Sequence, residues 1–161
     1  MNLEETMQIT FTVNGDRVSC AVPVRQHLVD FLRTELGLTG SHIGCEHGIC
    51  GACSVRVDGA VVRGCLMLAV QADGTEVVTI EGLTDSGEIA DLQTNFVERN
   101  ALQCGYCSPG ILVTSAELLK QEKPATRDEI RSFLSGNFCR CTGYHAIVDA
   151  VETTLKQRIG R

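Results

Sequence analysis

Apolar and polar residues alternate along the first part of the chain, as they do in strands that bury one face. From Gln8 to Val13 every second residue is apolar. Asn14-Gly15 is a strong signal for a two-residue hairpin turn, and the alternation resumes over residues 18–22. The pattern therefore predicts an antiparallel pair of strands at the start of the chain.

A helix, a loop and a second hairpin are predicted to follow. Apolar residues recur at helical spacing over residues 27–36, and Gly37 is a typical helix stop. Four glycines interrupt residues 40–51, which are therefore predicted to form an irregular loop. The Asp-Gly pair at 58–59 predicts a second hairpin turn, and residues 76–80 are predicted to form one more short strand.

The second half of the chain follows helical periodicity instead. One helix is predicted over residues 88–101, and another starts at Ser108-Pro109, with Ser108 as the N-cap. Thr126 and Glu129 form a capping box before a third helix, and a fourth follows Gly143. The apolar faces of these helices are predicted from Ile89, Leu92, Phe96, Val97, Leu112, Ala116, Leu119, Ile130, Phe133, Leu134, Ile147, Val148, Val151 and Leu155.

The change of periodicity lies between Gly82 and Gly87 and predicts a domain border there. We expect a domain over residues 1–83 and a second over residues 84–161, in a chain of α+β class. Apolar residues make up 43% of the chain but aromatic residues only 4%, and Trp is absent. Each core is therefore thin, and bound metal would add stability that packing alone does not supply.

The net charge and the N-terminal sequence narrow the possible partners and the expected cellular location. The net charge of −6 disfavours a nucleic-acid backbone as partner and suits a more basic protein surface. Residues 1–8 have no basic start, twin arginine or apolar leader segment. No stretch approaches the roughly 20 apolar residues of a membrane span. We therefore predict a cytoplasmic protein with no membrane span and no nucleic-acid partner.

Nine cysteines in such a chain indicate metal binding more than disulfides. A secretory disulfide scaffold is the alternative, and it would need a leader peptide that was removed before this sequence begins. Each of two cysteine groups has the four thiolates that hold one [2Fe–2S] cluster. The N-terminal cysteine group is Cys45, Cys50, Cys53 and Cys65, and the C-terminal cysteine group is Cys104, Cys107, Cys139 and Cys141.

The N-terminal cysteine group has the Cys-x4-Cys-x2-Cys spacing of plant-type ferredoxins. A loop around a cluster must turn several sulfurs and N–H groups inward, and glycine permits the backbone angles that this needs. Gly44, Gly48 and Gly51 stand beside the candidate ligands. Zinc is the alternative, but zinc sites usually combine two closely spaced pairs, and here Cys65 stands alone. The spacing therefore favours iron and sulfur.

The C-terminal cysteine group is more ambiguous when taken alone. The Cys104/Cys107 pair precedes one predicted helix start, and the Cys139/Cys141 pair precedes another. Two helix N-termini would thus bring partial positive charge towards an anionic cluster. A zinc knuckle could use the same four thiols. The uncommon Cys-x-Cys spacing and the neighbouring ferredoxin-type group favour a second [2Fe–2S] cluster.

The other candidate residues have simpler interpretations. Cys20 lies on the apolar face of a strand and is predicted to be a buried core thiol. His47 as a hydrogen-bond donor and Arg140 as a charge are hypothesised to tune cluster potential. Since thiolates complete both sites, the histidines are predicted to be surface or packing residues. They are His27, His42, His47 and His145.

Three segments resemble the small iron–sulfur subunit of the molybdenum hydroxylases: 44–53 (GCEHGICGAC), 103–110 (QCGYCSPG) and 136–144 (GNFCRCTGY). That family includes xanthine dehydrogenase, carbon monoxide dehydrogenase, aldehyde and N-heterocycle hydroxylases, and hydroxybenzoyl-CoA reductase. The resemblance spans nearly the whole chain. The departures from the family pattern touch no candidate ligand. They are Ser54 and Ser108 where Thr is common, Tyr106 where Phe often occurs, and Ser41-His42 where Thr-Lys is more usual.

The resemblance implies an N-terminal plant-ferredoxin-like β-grasp domain followed by a C-terminal four-helix bundle. It implies that the C-terminal cysteine group holds the cluster next to the molybdopterin of a large subunit. The N-terminal cysteine group would hold the cluster nearer the FAD of a medium subunit. Gln103 and Cys141 match positions that contact the pterin, which in bacterial members is usually a cytosine dinucleotide. A dimer of heterotrimers is the expected assembly.

The resemblance also implies the role of an electron-transfer subunit. Two electrons would leave a substrate at molybdenum and cross this chain one at a time, towards FAD or another acceptor. The chain itself is expected to supply no catalytic acid, base or nucleophile. The alternative is a free-standing two-cluster ferredoxin, which would be stable alone and make weak, salt-sensitive contacts. The substrate pocket would lie on another chain, so the sequence does not identify the substrate.

Overall fold

A five-stranded mixed sheet forms the first half of the protein in the computed structural model, which describes residues 5–160. Residues 1–4 and 161, which are the outer ends of the two predicted domains, lie outside the described residues. Residues 1–4 are also half of the N-terminal segment that was examined for a leader peptide. The strand order is β2-β1-β5-β3-β4, with β1 parallel to β5 and the other neighbours antiparallel. The strands are β1 (Thr6–Val13), β2 (Asp16–Pro23), β3 (Ser54–Val57), β4 (Ala60–Arg63) and β5 (Glu76–Val78).

Both predicted hairpin turns are confirmed. Asn14 and Gly15 join β1 to β2 with φ angles of 51° and 90°, and Asp58 and Gly59 join β3 to β4 with φ angles of 47° and 83°. Two successive positive φ angles are the mark of a type I′ turn, whose twist matches that of the strands it joins. The turns therefore form where the Asn-Gly and Asp-Gly pairs predict them.

The first core lies between the sheet and one helix, α1 (Leu28–Thr34). The rings of Phe11 and Phe31 lie 5.8 Å apart at its centre. A short 3-10 turn, Ala69–Ala72, contacts β1 and α1 and was not predicted by the periodicity. The apolar residues buried in this core are Ile9, Phe11, Val13, Val22, Leu28, Phe31, Leu32, Val55, Val57, Ala69, Ala72 and Val77.

Five helices share the second core. The capping box of α5 is confirmed: the Thr126 N–H donates to the Glu129 carboxylate at 2.7 Å, and the Glu129 N–H donates to the Thr126 hydroxyl at 3.3 Å. Phe133, at the end of α5, is 37% exposed, so the prediction that it lies on the buried face was wrong. Among residues 5–160, no helix is long and apolar enough to cross a membrane. The helices are α2 (Ile80–Asp85), α3 (Ala90–Glu98), α4 (Ser108–Leu119), α5 (Arg127–Phe133) and α6 (His145–Ile159).

A helix lies at the border between the two halves, where the sequence predicts a change from strand periodicity to helical periodicity. β5 ends at Val78, and α2 begins at Ile80 and occupies most of the predicted border between Gly82 and Gly87. The Thr79 N–H donates to Asn14 Oδ1 at 2.8 Å rather than to a neighbouring strand. The side chain of Asn14 therefore ends the strand two residues earlier than predicted.

Helix α3 differs from its prediction in both length and buried face. It spans Ala90–Glu98 and is shorter than predicted at both ends. Val97 is 69% exposed, so the prediction that it shares the buried face was wrong. Asn95 is buried instead, because its Nδ2 donates to Thr154 Oγ1 and Gln157 Oε1, each at 2.9 Å. Polar contacts with α6 thus set which side of α3 faces inward.

Helix α4 joins the two halves of the protein. It is buried on nearly all sides and packs on β3 and β4 as well as on other helices. Gly110 approaches the first half so closely that a Cβ there would lie 2.2 Å from the Gly51 carbonyl oxygen. Across the same boundary, the Arg56 guanidinium donates to both carboxylate oxygens of Glu88 at 2.7 and 3.1 Å. The two cores are therefore in direct contact.

Candidate metal centres

The second hairpin brings the members of the N-terminal cysteine group together. Cys45 and Cys50 lie in the irregular loop between α1 and β3, Cys53 directly precedes β3, and Cys65 follows β4. Antiparallel pairing of β3 with β4 returns Cys65 to the side of Cys53, and these two residues are buried in one small cluster. Pairing of the two strands therefore places Cys65 beside Cys53.

Main-chain N–H groups of this loop face the Cys45 sulfur. The Cys50 N–H donates to Cys45 Sγ at 3.4 Å, and the N–H groups of His47 and Ile49 also contribute. These donors, led by the N–H of Cys50, lower the pKa of Cys45 to about 6. A thiolate at this position is thus stabilised by the backbone, which suits a metal ligand.

Two glycines in the loop have backbone angles that other residues rarely adopt. Gly48 and Gly51 have φ angles of 82° and 73°. A Cβ on Gly51 would also lie 2.4 Å from the Gly136 carbonyl oxygen. At Gly44 a Cβ would approach Cys50 Sγ to 3.0 Å. The glycines therefore let the loop close around its sulfurs and against the second half of the chain.

Burial raises the pKa of one thiol in each group. Desolvation raises the pKa of Cys53 to about 11, with Cys65 beside it. Desolvation likewise raises the pKa of Cys107 to about 12, and the neighbouring Cys139 thiol adds to the shift. A buried thiol gives up its proton when a metal cation compensates the charge, so metal binding here would release protons.

The C-terminal cysteine group lies where two helices begin. Cys107 is the N-cap residue of α4, and the loop that holds Cys139 and Cys141 leads into α6. Ser108 is the first helical residue rather than the predicted N-cap, because its own N–H already closes a turn on the Gly105 carbonyl. Both helix N-termini therefore lie beside this group, where their partial positive charge favours an anion.

Hydrogen bonds within the loop before α6 hold the second pair of thiols. The Cys139 N–H donates to the Tyr144 hydroxyl at 2.8 Å, and that hydroxyl donates to the Asn137 carbonyl at 3.2 Å. Thr142 donates to Cys139 Sγ through its N–H at 3.4 Å and its hydroxyl at 3.0 Å. Burial alone would raise the pKa of Cys139, but the donors of Thr142, the Cys141 N–H and the Cys107 thiol together outweigh it, and the net shift is downward.

The sulfurs of both groups come together in pairs. Cys104 Sγ and Cys141 Sγ lie 3.6 Å apart. Among the described residues, no group of three or more Cys, His, Asp or Glu side chains is arranged to hold a single metal ion. Two pairs of thiolates suit a centre with two irons, which together take four sulfur ligands. The pairs are Cys45 with Cys50, Cys53 with Cys65, Cys104 with Cys141, and Cys107 with Cys139.

A main-chain contact connects the two cysteine groups directly. The Phe138 N–H donates to the Cys50 carbonyl at 2.8 Å. Beside it, Asn137 Nδ2 donates to the Gly51 carbonyl at 3.1 Å. The residue after Phe138 is itself a candidate ligand, so one hydrogen bond separates the backbones of the two groups. Sequence reasoning missed this contact because main-chain atoms leave no signal in residue type or spacing.

The other candidate residues, among them His42, His47 and Cys20, take part in packing or in local hydrogen bonds. The His42 ring stacks on that of Tyr106, a contact that no sequence pattern signals. The His47 ring nitrogen bonds to the Cys45 carbonyl, so it is the His47 main-chain N–H that serves the Cys45 sulfur. Cys20, on the edge strand β2, packs against the first core but is only half-buried, so the prediction of a buried core thiol is confirmed in its packing and wrong in its degree of burial. Desolvation still raises its pKa.

The C-terminal cysteine group opens onto the protein surface. Cys104 and Cys141 are exposed, as are Gln103 and Arg140. Apolar side chains near these residues in the chain are exposed as well, which is typical of a surface that binds another protein. They are Leu102 (41% exposed), Tyr106 (48%) and Phe138 (55%).

Known proteins share these features over nearly the whole chain. Residues 11–79 match the family model of the 2Fe-2S iron-sulfur cluster binding domain, and residues 79–152 match that of the [2Fe-2S] binding domain. The small subunit of nicotine 6-hydroxylase from Paenarthrobacter nicotinovorans is 48% identical over 147 residues, which cover 91% of this chain and 88% of that protein. The xanthine dehydrogenase iron-sulfur-binding subunit of Escherichia coli O157:H7 is 44% identical over 153 residues, which cover 94% and 96%.

A solved structure agrees with these relatives. Quinoline 2-oxidoreductase from Pseudomonas putida 86 aligns with a TM-score of 0.90 at 44% identity, over 97% of this chain and 97% of that chain. Both halves of the chain thus match [2Fe–2S]-binding domains, and the relatives are iron–sulfur subunits of oxidoreductase complexes. This chain belongs to the iron–sulfur subunits of the molybdenum hydroxylase family.

Proposed function

We propose that this chain relays single electrons between a molybdopterin centre on one partner subunit and FAD, or another acceptor, on a second. The observation that carries the proposal is the hydrogen bond from the Phe138 N–H to the Cys50 carbonyl. It links two sets of paired thiols by a short route through bonded atoms. The chain's own contribution is to hold, space and surround two redox centres.

The eight grouped thiols are proposed as the ligands of two [2Fe–2S] clusters, one to each group. When bound, such a cluster takes up and gives back one electron. The backbone donors around Cys45 and the Thr142 donors at Cys139 stabilise negative charge on the sulfurs. Hydrogen bonds of this kind are among the features that set a cluster's potential.

We propose that the C-terminal cysteine group faces the large molybdopterin subunit. Gln103 and Cys141 are the proposed pterin contacts, and the pterin is proposed to be a cytosine dinucleotide. Both residues are exposed and therefore reachable by a group on a partner. A Gln side chain offers both a donor and an acceptor, which suits the polar edge of a pterin ring.

The N-terminal cysteine group is proposed to face a medium subunit that carries FAD. Ile49 is 52% exposed and Leu66 is 61% exposed. Leu66 covers the cysteine loop, since a Cβ on Gly48 would lie 2.4 Å from its Cδ1. Apolar side chains beside a redox loop suit a docking surface. The proposed assembly is a dimer of heterotrimers in the cytoplasm, where thiols stay reduced.

The finer fold assignment is also a proposal. Residues 1–83 are proposed to form a plant-ferredoxin-like β-grasp domain, supported by the mixed sheet with β1 parallel to β5. Residues 84–161 are proposed to form a four-helix bundle of α3 to α6, supported by their shared core. On this assignment the border falls within α2 (Ile80–Asp85), whose Ile80 and Leu83 lie in the second core.

Replacing Phe138 with Pro tests the route between the two groups. Pro has no N–H, and Asn137 already has the extended backbone (φ −121°, ψ 107°) that a residue before Pro requires. We expect Phe138→Pro to slow electron exchange between the clusters after flash reduction of the loaded protein. Phe138→Ala keeps the N–H and should exchange at nearly the wild-type rate. Equal rates in the two variants would contradict the proposed route.

Size-exclusion chromatography of native extract tests the role as a subunit. The chain should elute with two larger chains and carry about four irons. A single peak at the 17.4 kDa of this chain alone, fully loaded with iron, would instead support a free two-cluster ferredoxin. Zinc in place of iron would contradict both the proposed subunit and the free ferredoxin.

A further inference from the structure

A pair of stacked rings forms a second link between the two cysteine groups. His42 lies three residues before Cys45, and Tyr106 lies between Cys104 and Cys107. The centroids of the His42 and Tyr106 rings are 4.5 Å apart, and their planes meet at 17°. The stacked rings therefore connect the segment just before the N-terminal cysteine group with a residue inside the C-terminal cysteine group.

Two hydrogen bonds accompany the stacked rings. The Tyr106 hydroxyl donates to the Ile43 carbonyl at 2.7 Å, and His42 Nδ1 lies 2.8 Å from the Tyr106 carbonyl. Since a carbonyl oxygen only accepts, His42 Nδ1 carries the proton and donates it. Side chain and main chain of Tyr106 are thus both held by the first half of the protein. We name this arrangement the His42–Tyr106 clasp.

The clasp attaches a segment of the second half to the first half of the protein. Residues 102–107 are the last part of the connection between α3 and α4, and Cys104 within it is exposed. In the part of the chain that the structure describes, both hydrogen bonds from residues 102–106 to the first half involve Tyr106. The other ligand segment has its own attachment, through Phe138 and the Cys50 carbonyl. Each half of the C-terminal cysteine group is therefore fixed by a different contact.

We propose that His42 and Tyr106 are positioning residues for electron transfer. By fixing the segment that carries Cys104 and Cys107, the clasp sets the potential of the cluster in the C-terminal group and its coupling to the other cluster. Cluster potential depends on hydrogen bonds to the sulfurs and on solvent exposure, and both change if this segment shifts. The inference rests on the proposed function, since it assumes a cluster in each group.

Three variants of the cluster-loaded full chain separate the parts of the clasp. Tyr106→Phe removes the donor to Ile43 and keeps the aromatic ring. His42→Ala removes the stacking and the Nδ1 donor together. His42→Asn restores a donor close to the position of Nδ1 without restoring the ring. Phe133→Ala, which trims a partly exposed ring on α5, is the matched control for loss of aromatic surface.

Three measurements read out position rather than folding alone. Redox titration followed by electron paramagnetic resonance gives the midpoint potential of each cluster. The spin–spin splitting of the fully reduced protein reports the placement of one cluster relative to the other. Amide hydrogen exchange over residues 102–107 reports local opening of the segment.

In Tyr106→Phe and His42→Ala we expect a shifted midpoint for the C-terminal cluster, an altered splitting and severalfold faster exchange over residues 102–107. The midpoint of the N-terminal cluster should stay in place. His42→Asn should recover part of each change, and Phe133→Ala should show none.

Unchanged midpoints and splitting in Tyr106→Phe and His42→Ala, with both clusters present, would overturn the proposal. Loss of a cluster from Tyr106→Phe would overturn it as well, because a pair that only tunes position leaves the ligands loaded. A different result would contradict the proposed function itself: a wild-type protein without two distinct iron signals in electron paramagnetic resonance.

Discussion

At the scale of single residues, the pKa values of the grouped thiols are shifted by different neighbours. Main-chain N–H groups stabilise the thiolate of Cys45, whereas a side-chain hydroxyl and an N–H of Thr142 do so for Cys139. Cys53 and Cys107 are governed by burial. Only the Thr142 hydroxyl among these influences can be removed by a substitution that keeps the shape of the side chain.

Thr142→Val should therefore lower the midpoint potential of the C-terminal cluster. The valine keeps the branched shape and the N–H but lacks the hydroxyl that lies 3.0 Å from Cys139 Sγ. A sulfur with one donor fewer carries more negative charge, which favours the oxidised cluster. A redox titration followed by electron paramagnetic resonance measures the shift, with the N-terminal cluster as internal reference. A raised midpoint would contradict this reasoning.

Cys107→Ser should remove one of two electron paramagnetic resonance signals and lower the iron content from about four to about two atoms per chain. The reason is that Cys107 lies in the C-terminal cysteine group, where its thiol pairs with that of Cys139. Cys20→Ser is the matched control, because Cys20 lies on β2 outside both groups and should leave both signals intact. Loss of both signals, or of neither, in Cys107→Ser would argue against two separate centres.

The residue types at the two sites could be predicted because eight cysteines in two spacings leave few choices. The supporting residues could not. Thr142, Tyr144 and His42 act through the exact course of a loop, and a loop has no periodicity from which its course can be predicted. His42 and Tyr106 were visible in the sequence as departures from a family pattern, but nothing there signalled that they touch.

At the scale of elements, local chemistry decided the features that the sequence predicted well. Asn-Gly and Asp-Gly select a type I′ turn by themselves, and Thr126 with Glu129 selects a helix start. Contacts made at long range decided the rest. The end of β5 depends on Asn14, which is 65 residues away in the chain from its partner Thr79. The buried face of α3 depends on residues of α6.

Gly110→Ala tests an opposition between helix propensity and packing. Ala is favoured over Gly within a helix by about 1 kcal/mol. At this position, however, the added Cβ would lie 2.2 Å from the Gly51 carbonyl oxygen, and a backbone atom cannot swing aside. Overpacking of this kind costs about 1–3 kcal/mol, so we expect a net loss of stability on the order of 1 kcal/mol.

Denaturant unfolding measures the effect of Gly110→Ala. Ser132→Ala, at an exposed position of the helix α5, is the control and should change stability by less than about 0.5 kcal/mol. A Gly110→Ala variant more stable than the wild type would show that α4 can move away from the cysteine loop.

At the scale of the whole molecule, one ion pair ties the sheet to the helices. Arg56 is 5% exposed, and its guanidinium donates to both Glu88 oxygens. Lys120 Nζ lies 3.8 Å from the same carboxylate. The hydrogen bonds from Arg56, followed by the attraction of Arg56, Lys120 and Arg158, lower the pKa of Glu88. The carboxylate therefore stabilises the folded state in its charged form.

Glu88→Gln should reduce stability near neutral pH by about 2 kcal/mol, because it leaves the buried Arg56 without an anion. Since the folded-state pKa of Glu88 is lowered, its contribution is fully present above the unfolded pKa and is lost as pH falls through the folded value. The difference between wild type and Glu88→Gln should therefore shrink as the solution becomes more acidic.

Unfolding by urea at a series of pH values measures that difference. Glu98→Gln, at the exposed end of α3, is the control and should follow the wild type at every pH. A gap between wild type and Glu88→Gln that stays constant or widens on acidification would contradict the assigned role of the Arg56–Glu88 pair.

The contact between Phe138 and Cys50 has a consequence for inheritance. Its two atoms are an amide nitrogen and a carbonyl oxygen, which nearly all residue types possess. Only proline at position 138 would delete the donor. Both phenylalanine codons differ from every proline codon at two or more bases, so no single-nucleotide substitution in the gene can abolish this bond by replacing that residue.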